Sequence, residues 1–142
     1  MSVPGIIEEA PPRLVSAAPV FQVGDVAATM RWYEESLGFE AFPFPSKPPH
    51  AFCILVRDAI EIMLQRVDGQ EKLDVYKQRP AGVWHAYLRI EEVHTFYQRV
   101  RARPEVVVLE PLKRQPYGDT EFVVADPDGH VLVFSELVSD SQ

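Results

Sequence analysis

Glu61 and His85 are the two side chains best placed to do chemistry together, because each sits in a run whose alternation turns it away from the apolar core. In Ile60-Glu61-Ile62-Met63-Leu64-Gln65 the isoleucines and Leu64 share one side of a strand, so Glu61, Met63 and Gln65 take the other. In His85–Ile90 the apolar set is Ala86, Leu88 and Ile90, which leaves His85, Tyr87 and Arg89 opposite. A carboxylate and an imidazole facing one cleft have three uses. They can satisfy one another by a hydrogen bond, supply two donors to a divalent cation, or work as a metal-free base and acid, His85 being suited by its near-neutral titration. All three remain open, and both residues are catalytic candidates.

The same alternation places Ala18, Val20 and Gln22 on the cleft side of the first strand, and Val131, Val133 and Ser135 on that side of the last. The expected ligand-binding set is therefore Gln22, Glu61, Met63, Gln65, His85, Tyr87, Arg89, Val133 and Ser135. Apolar walls with a few polar groups suit an amphiphilic small molecule. The competing reading is that these polar residues face solvent or a dimer partner, as on many antiparallel sheets.

The elements that must position these residues come in two cycles. Ala18–Val23 reads as a strand, and Asp25 can cap a helix whose apolar face is Val26, Met30, Tyr33 and Leu37, stopped by Gly38. Strands are expected at Phe39–Phe44, Ala51–Arg57 and Ala59–Arg66. A polar linker over 67–82 carries a short helix around Glu71–Gln78. The second cycle has a strand at Val83–Ile90, then a helix capped by Glu92 with Val93, Phe96, Tyr97 and Val100 buried and Pro104 beyond its end. Strands at Val106–Leu112, Thr120–Ala125 and His130–Leu137 follow, with a turn at Asp126-Pro127-Asp128-Gly129. Val23-Gly24-Asp25-Val26 overlays Ile90-Glu91-Glu92-Val93, so the order βαβββ occurs twice. The expected organisation is an N-terminal tail or arm over 1–16, modules at 17–66 and 83–138, and a short tail at 139–142.

Composition limits the partners. The chain has 142 residues with a formal net charge of −7, and no run of Lys or Arg offers the basic stripe that nucleic acid needs. No apolar run approaches a membrane span, and the first ten residues lack a signal peptide's pattern. Cys53 is the sole cysteine, so no intrachain disulfide or thiolate cluster forms, and a cytoplasmic location is expected. Cys53 reads as a buried inert thiol and His130 as a surface residue at a turn edge. Trp84 should point away from the cleft and Trp32 should pack. Tyr87 is suited to stacking on a planar ligand, while Tyr117 and Phe44 suit its rim.

These motifs in this order resemble the vicinal oxygen chelate superfamily, which includes glyoxalase I, extradiol dioxygenases and bleomycin resistance proteins. Val23-Gly24-Asp25-Val26 with Arg31-Trp32-Tyr33 and Leu37-Gly38-Phe39 resembles its opening. Ile60 to Gln65 resembles its fourth strand, and Asp119-Thr120-Glu121-Phe122, Asp126 to His130 and Phe134-Ser135-Glu136 its closing strands. The resemblance implies an α+β fold, two βαβββ modules forming a curved mixed sheet around a cleft, and commonly a homodimer. Its four metal-ligand places fall on Ala18, Glu61, His85 and Val133, of which only Glu61 and His85 can coordinate. The resemblance thus implies a small-molecule binder of the bleomycin resistance kind, holding an amphiphilic or cationic ligand without a cofactor. The alternative is a glyoxalase-like lyase, isomerase or dioxygenase using a divalent metal in an atypical site.

Overall fold

The computed structural model describes residues 5, 10–79 and 83–137; the remaining parts of the expected tails and linker lie outside the described residues. Two four-stranded mixed sheets and three helices follow the expected order. The first half comprises β1 (Val20–Val23), α1 (Val26–Leu37), β2 (Glu40–Phe44), β3 (Phe52–Arg57) and β4 (Ile60–Arg66). A single turn, α2 (Val75–Gln78), lies in the linker. The second half comprises β5 (Ala86–Arg89), α3 (Val93–Arg101), β6 (Val107–Arg114), β7 (Thr120–Ala125) and β8 (Val131–Glu136). The sheet orders are β1-β4-β3-β2 and β5-β8-β7-β6. In each, the first strand pairs parallel to the last and the other neighbours are antiparallel. A parallel pair needs a crossover, and α1 and α3 provide it.

Local chemistry explains where the helices begin and end. Asp25 caps α1 through a hydrogen bond from the Ala28 N–H at 3.1 Å, and Gly38 closes it at φ 74°. The second helix departs from expectation. Glu92 sits at φ 60° and makes no side-chain cap. Glu136, at the end of β8, caps α3 instead, accepting from the Glu92 and Val93 N–H groups at 3.2 and 3.1 Å. A carboxylate 44 positions away along the chain does the capping, which no local sequence motif signals.

The helix-side faces of both sheets and the buried faces of α1 and α3 belong to one apolar core, from Phe21, Leu55, Ile62 and Leu64 to Leu88, Phe122, Leu132 and Phe134. Polar ties reinforce the join. The Tyr33 hydroxyl donates to Asp126 Oδ2 at 2.8 Å, and the Trp32 indole N–H donates to the Glu105 carbonyl at 3.2 Å. Arg57 lies 5.0 Å over the Phe96 ring and donates to the Leu37 carbonyl. Cys53 is buried in this core, and burial pushes its thiol pKa up, as an inert packing role requires.

Candidate functional site

Because the helix-side faces are spent on the core, the opposite faces of the two sheets are where a ligand can be met. Register defines the first of them. One row across the sheet is Val20, Met63, Ile54 and Phe42; the next is Gln22, Gln65, Phe52 and Phe44; a third joins Glu61, Val56 and Glu40. Paired residues point to the same side, so β2 and β3 supply an apolar wall and β1 and β4 a mixed border. This wall is open: Val20 and Phe42 are each 51% exposed and Phe44 is 70% exposed. Exposed aromatics gathered on one face mark a contact surface. Gln22, Glu61, Met63 and Gln65 all lie on it, as the alternation requires, and Phe44 stands at its edge.

The corresponding face of the second sheet is more polar and more covered. Tyr87, Val133, Val123 and Glu110 form one row, and Arg89, Ser135, Glu121 and Lys113 the next. Val133 is fully buried in a small apolar cluster with Val123 and Val131, on which Tyr76 of α2 and Val83 pack. It therefore stands under the linker, not open to a ligand. Ser135 is likewise fully buried, its hydroxyl held among Tyr87, Arg89 and Asp119.

Above them the Tyr87 hydroxyl lies 2.6 Å from Glu121 Oε2, 3.0 Å from Ser135 Oγ and 3.1 Å from Asp119 Oδ2. Tyr117 donates to the other Glu121 oxygen, and Arg89 pairs with Asp119 while lying 5.1 Å from the Tyr87 ring centre. The Arg89 hydrogen bond holds the Asp119 carboxyl below its ordinary range. Burial and the Glu121 carboxylate push both phenols up, so Tyr87 and Tyr117 act as neutral donors. The Tyr87 hydroxyl is thus committed to this network and only its ring remains to stack. Trp84, expected to point away, leans on that ring at 5.2 Å because the strand begins three residues later than the alternation assumed.

Glu61 and His85 line one pocket of about 290 Å³ with Ala17, Pro19, Ile60 and Tyr87, yet no hydrogen bond joins them. His85 is held differently. Its Nδ1 accepts the Val131 N–H at 2.8 Å, which leaves the proton on Nε2. Burial and the neighbouring His130 lower its pKa, which favours this neutral form.

His130 overturns the surface expectation. It is 3% exposed, stacked on Phe21 at 4.3 Å, and its Nδ1 lies 2.9 Å from Asp126 Oδ2. Asp126 also accepts from the Asp128 and His130 N–H groups, so the turn wraps round the carboxylate and draws the ring inward. Gly129 adopts φ 87°, and a Cβ there would collide with the Leu73 carbonyl, which fixes the linker against the turn.

A divalent metal does not fit this donor set. Ala18 and Val133 carry no donor, and the protonated Nε2 of His85 has no lone pair to give. Among the described residues no three His, Cys, Asp or Glu side chains group as ligands, whereas catalytic sites of this kind ordinarily use three.

A larger cavity, about 700 Å³, opens elsewhere. It lies between the β3–β4 turn, the end of β5 and the end of β8, over Phe39, Ile60, Leu88, Phe96 and Phe134.

Sequence reasoning missed Asp119, Glu121 and the buried role of His130, and it missed the wall of Phe42, Phe52 and Ile54. For the wall a signal existed: alternation in Phe42-Pro43-Phe44 and Phe52-Cys53-Ile54 sets these side chains opposite Cys53. For His130 none did.

The glyoxalase/bleomycin resistance protein/dioxygenase superfamily model matches residues 16–134. Similar solved structures include the bleomycin-binding protein of Streptomyces verticillus complexed with copper(II)-bleomycin, at 21% identity and TM-score 0.63, covering 87% of this chain and 97% of that one. The bleomycin resistance determinant of transposon Tn5 is similar at 22% identity and TM-score 0.63, covering 87% and 98%. A glyoxalase-related enzyme from Clostridium phytofermentans is similar at 16% identity and TM-score 0.68, covering 92% and 100%. No curated protein matches the chain.

Proposed function

The chain belongs to the glyoxalase/bleomycin resistance protein/dioxygenase superfamily, and from that premise we propose that it is a binding protein for an amphiphilic or cationic small molecule, working without a metal. The observation that carries this reading is the open apolar wall of Val20, Phe42, Phe44, Phe52, Ile54 and Met63. Such a wall supplies area for an apolar body, while the carboxylates of Glu61, Asp119 and Glu121 outnumber the cations of Arg89 and Lys113 and favour a positive group.

The reading includes a homodimer in the cytoplasm. A wall this apolar is covered in the working protein by the outer face of the second sheet of another copy, with the ligand between. Tyr87, Trp84 and Arg89 of that copy then close the cleft. The metal-dependent enzymatic alternative is disfavoured by the chemistry of the four metal places, not by the fold.

The test is thermal unfolding against a panel of amphiphilic cations, with metal-free and copper(II)-bleomycin included, alongside light scattering for mass. A ligand present at 100 times its dissociation constant stabilises a one-site protein by about 2.7 kcal/mol. Stabilisation by a panel member, abolished in Phe42→Asp, together with a dimer mass, supports the proposal. A monomer whose melting is unmoved by every member, or stoichiometric metal with turnover, overturns it.

A further inference from the structure

We propose that the half-buried imidazole of His85 and the buried one of His130 form a second, polar recognition site, one that selects a neutral ligand edge carrying an N–H donor beside a carbonyl acceptor, as in a lactam or a primary carboxamide. The pocket holds about 300 Å³ and is bordered by Pro19, Phe21, Gln22, Leu73, His85 and His130. It shares β1 with the apolar wall through Val20 and Gln22, but its polar groups come from His85 and His130, which the wall does not contain.

The case rests on opposite tautomers. His85 accepts at Nδ1 from the Val131 amide, so its Nε2 carries hydrogen and donates. When His130 is neutral, its Nδ1, against both oxygens of Asp126 at 3.1 and 2.9 Å, holds the hydrogen and its Nε2 carries the lone pair. The two rings meet edge to face, 5.3 Å apart and at 83°. One pocket therefore presents a donor and an acceptor from rigid groups.

His130 Nε2 is also free. Among the described residues every buried side-chain nitrogen or oxygen has a hydrogen-bond partner, and this atom has none. It must then open into the space that its ring borders. An acceptor that opens into the pocket can take a ligand's N–H in place of water.

Charge and shape restrict what that is. A carboxylate would set lone pair against lone pair at His130. An ammonium group would meet the N–H of His85. A cis amide edge satisfies both at once. The arrangement is held from behind: Asp126 is fixed by Tyr33 and by two backbone N–H groups, and His130 is clamped on Phe21. Little reorganisation is needed on binding.

The test is an NMR titration of the whole chain, following the imidazole nitrogens, with 2-pyrrolidinone as probe and N-methyl-2-pyrrolidinone as control. In the free protein the nitrogen shifts are expected to show hydrogen on Nε2 of His85 and on Nδ1 of His130. 2-Pyrrolidinone is expected to move both rings saturably with a millimolar dissociation constant. The N-methyl analogue, which cannot donate to His130, should bind about tenfold more weakly, the factor that one hydrogen bond sets. His85→Phe, at a half-exposed position, should weaken 2-pyrrolidinone by a similar factor. Matching tautomers in the two rings, equal binding of both lactams, or rings unmoved by 2-pyrrolidinone would each overturn the proposal. Signals from Phe42 and Met63 report the wall separately, so loss of one site is distinguishable from loss of the other.

Discussion

Replacing Tyr33 by Phe removes one oxygen atom from the middle of the molecule and tests whether the two halves are joined by polar bonds as well as by packing. The Tyr33 side chain is wholly buried and its hydroxyl donates to Asp126 Oδ2 at 2.8 Å. Burial and the Asp126 charge raise the phenol pKa well above its ordinary value, so the group is a donor at every accessible pH. Tyr33→Phe keeps the edge-to-face contacts with Trp32 and Phe39, at 5.0 and 5.7 Å between ring centres. What is lost is one hydrogen bond to a carboxylate.

A hydrogen bond to a charged group contributes about 1.5–3 kcal/mol. Asp126 still accepts from His130 Nδ1 and from two backbone N–H groups, so it is not orphaned. The lower half of that range, about 1.5–2 kcal/mol, is therefore expected. With a urea m-value of about 1–3 kcal/mol per molar, the midpoint should fall by roughly 1 M at unchanged m. The assay is urea unfolding followed by tryptophan fluorescence, since Trp32 lies on the same helix. A shift below about 0.5 kcal/mol, within the usual surface range, would refute the reasoning and show that the Tyr33 hydroxyl adds little to the join.

Other perturbations probe separate features. Glu136→Ala removes the distant cap of α3 and should cost about 1–2 kcal/mol, read by urea unfolding; an effect confined to a few tenths would show that water replaces the cap. Gly129→Ala combines a left-handed φ with a collision at Leu73, so it should cost over about 2 kcal/mol and expose the linker to proteolysis. The lowered Asp119 pKa stabilises the fold above the ordinary carboxylate value near 3.8, and this contribution is lost as pH falls through the lower folded value. Arg89→Gln should bring the Asp119 titration back up, seen by carboxyl-carbon NMR. For His85 the sign is opposite to a paired histidine's. Its folded pKa is lowered, so its contribution is complete above the ordinary 6.5 and is lost as pH falls through that value toward the folded one. His85→Phe should flatten the stability profile just below pH 6.5, and an unchanged slope would contradict the assigned burial.

Alternation and punctuation by themselves determined the order of strands and helices. The period of two in Ile60 to Gln65 and in Ala86 to Ile90, the helical spacing of Val26, Tyr33 and Leu37, and the stop at Gly38 are local properties. They survive folding because each strand buries one face against a helix. For the same reason the sides taken by Glu61, Met63, Gln65, Tyr87 and Arg89 were legible from the chain.

The tertiary structure decided what those side chains meet. Whether Glu61 pairs with His85 and whether Val133 is open depend on residues tens of positions away, while the His130 ring is set by Asp126, one turn earlier in the chain. Within the second sheet the Val131 N–H binds His85, Tyr76 packs on the cluster that holds Val133, and Asp126 draws His130 inward. Periodicity fixes a side chain's face. Its neighbour across a fold, and hence its protonation and access, follows from packing that no local pattern encodes.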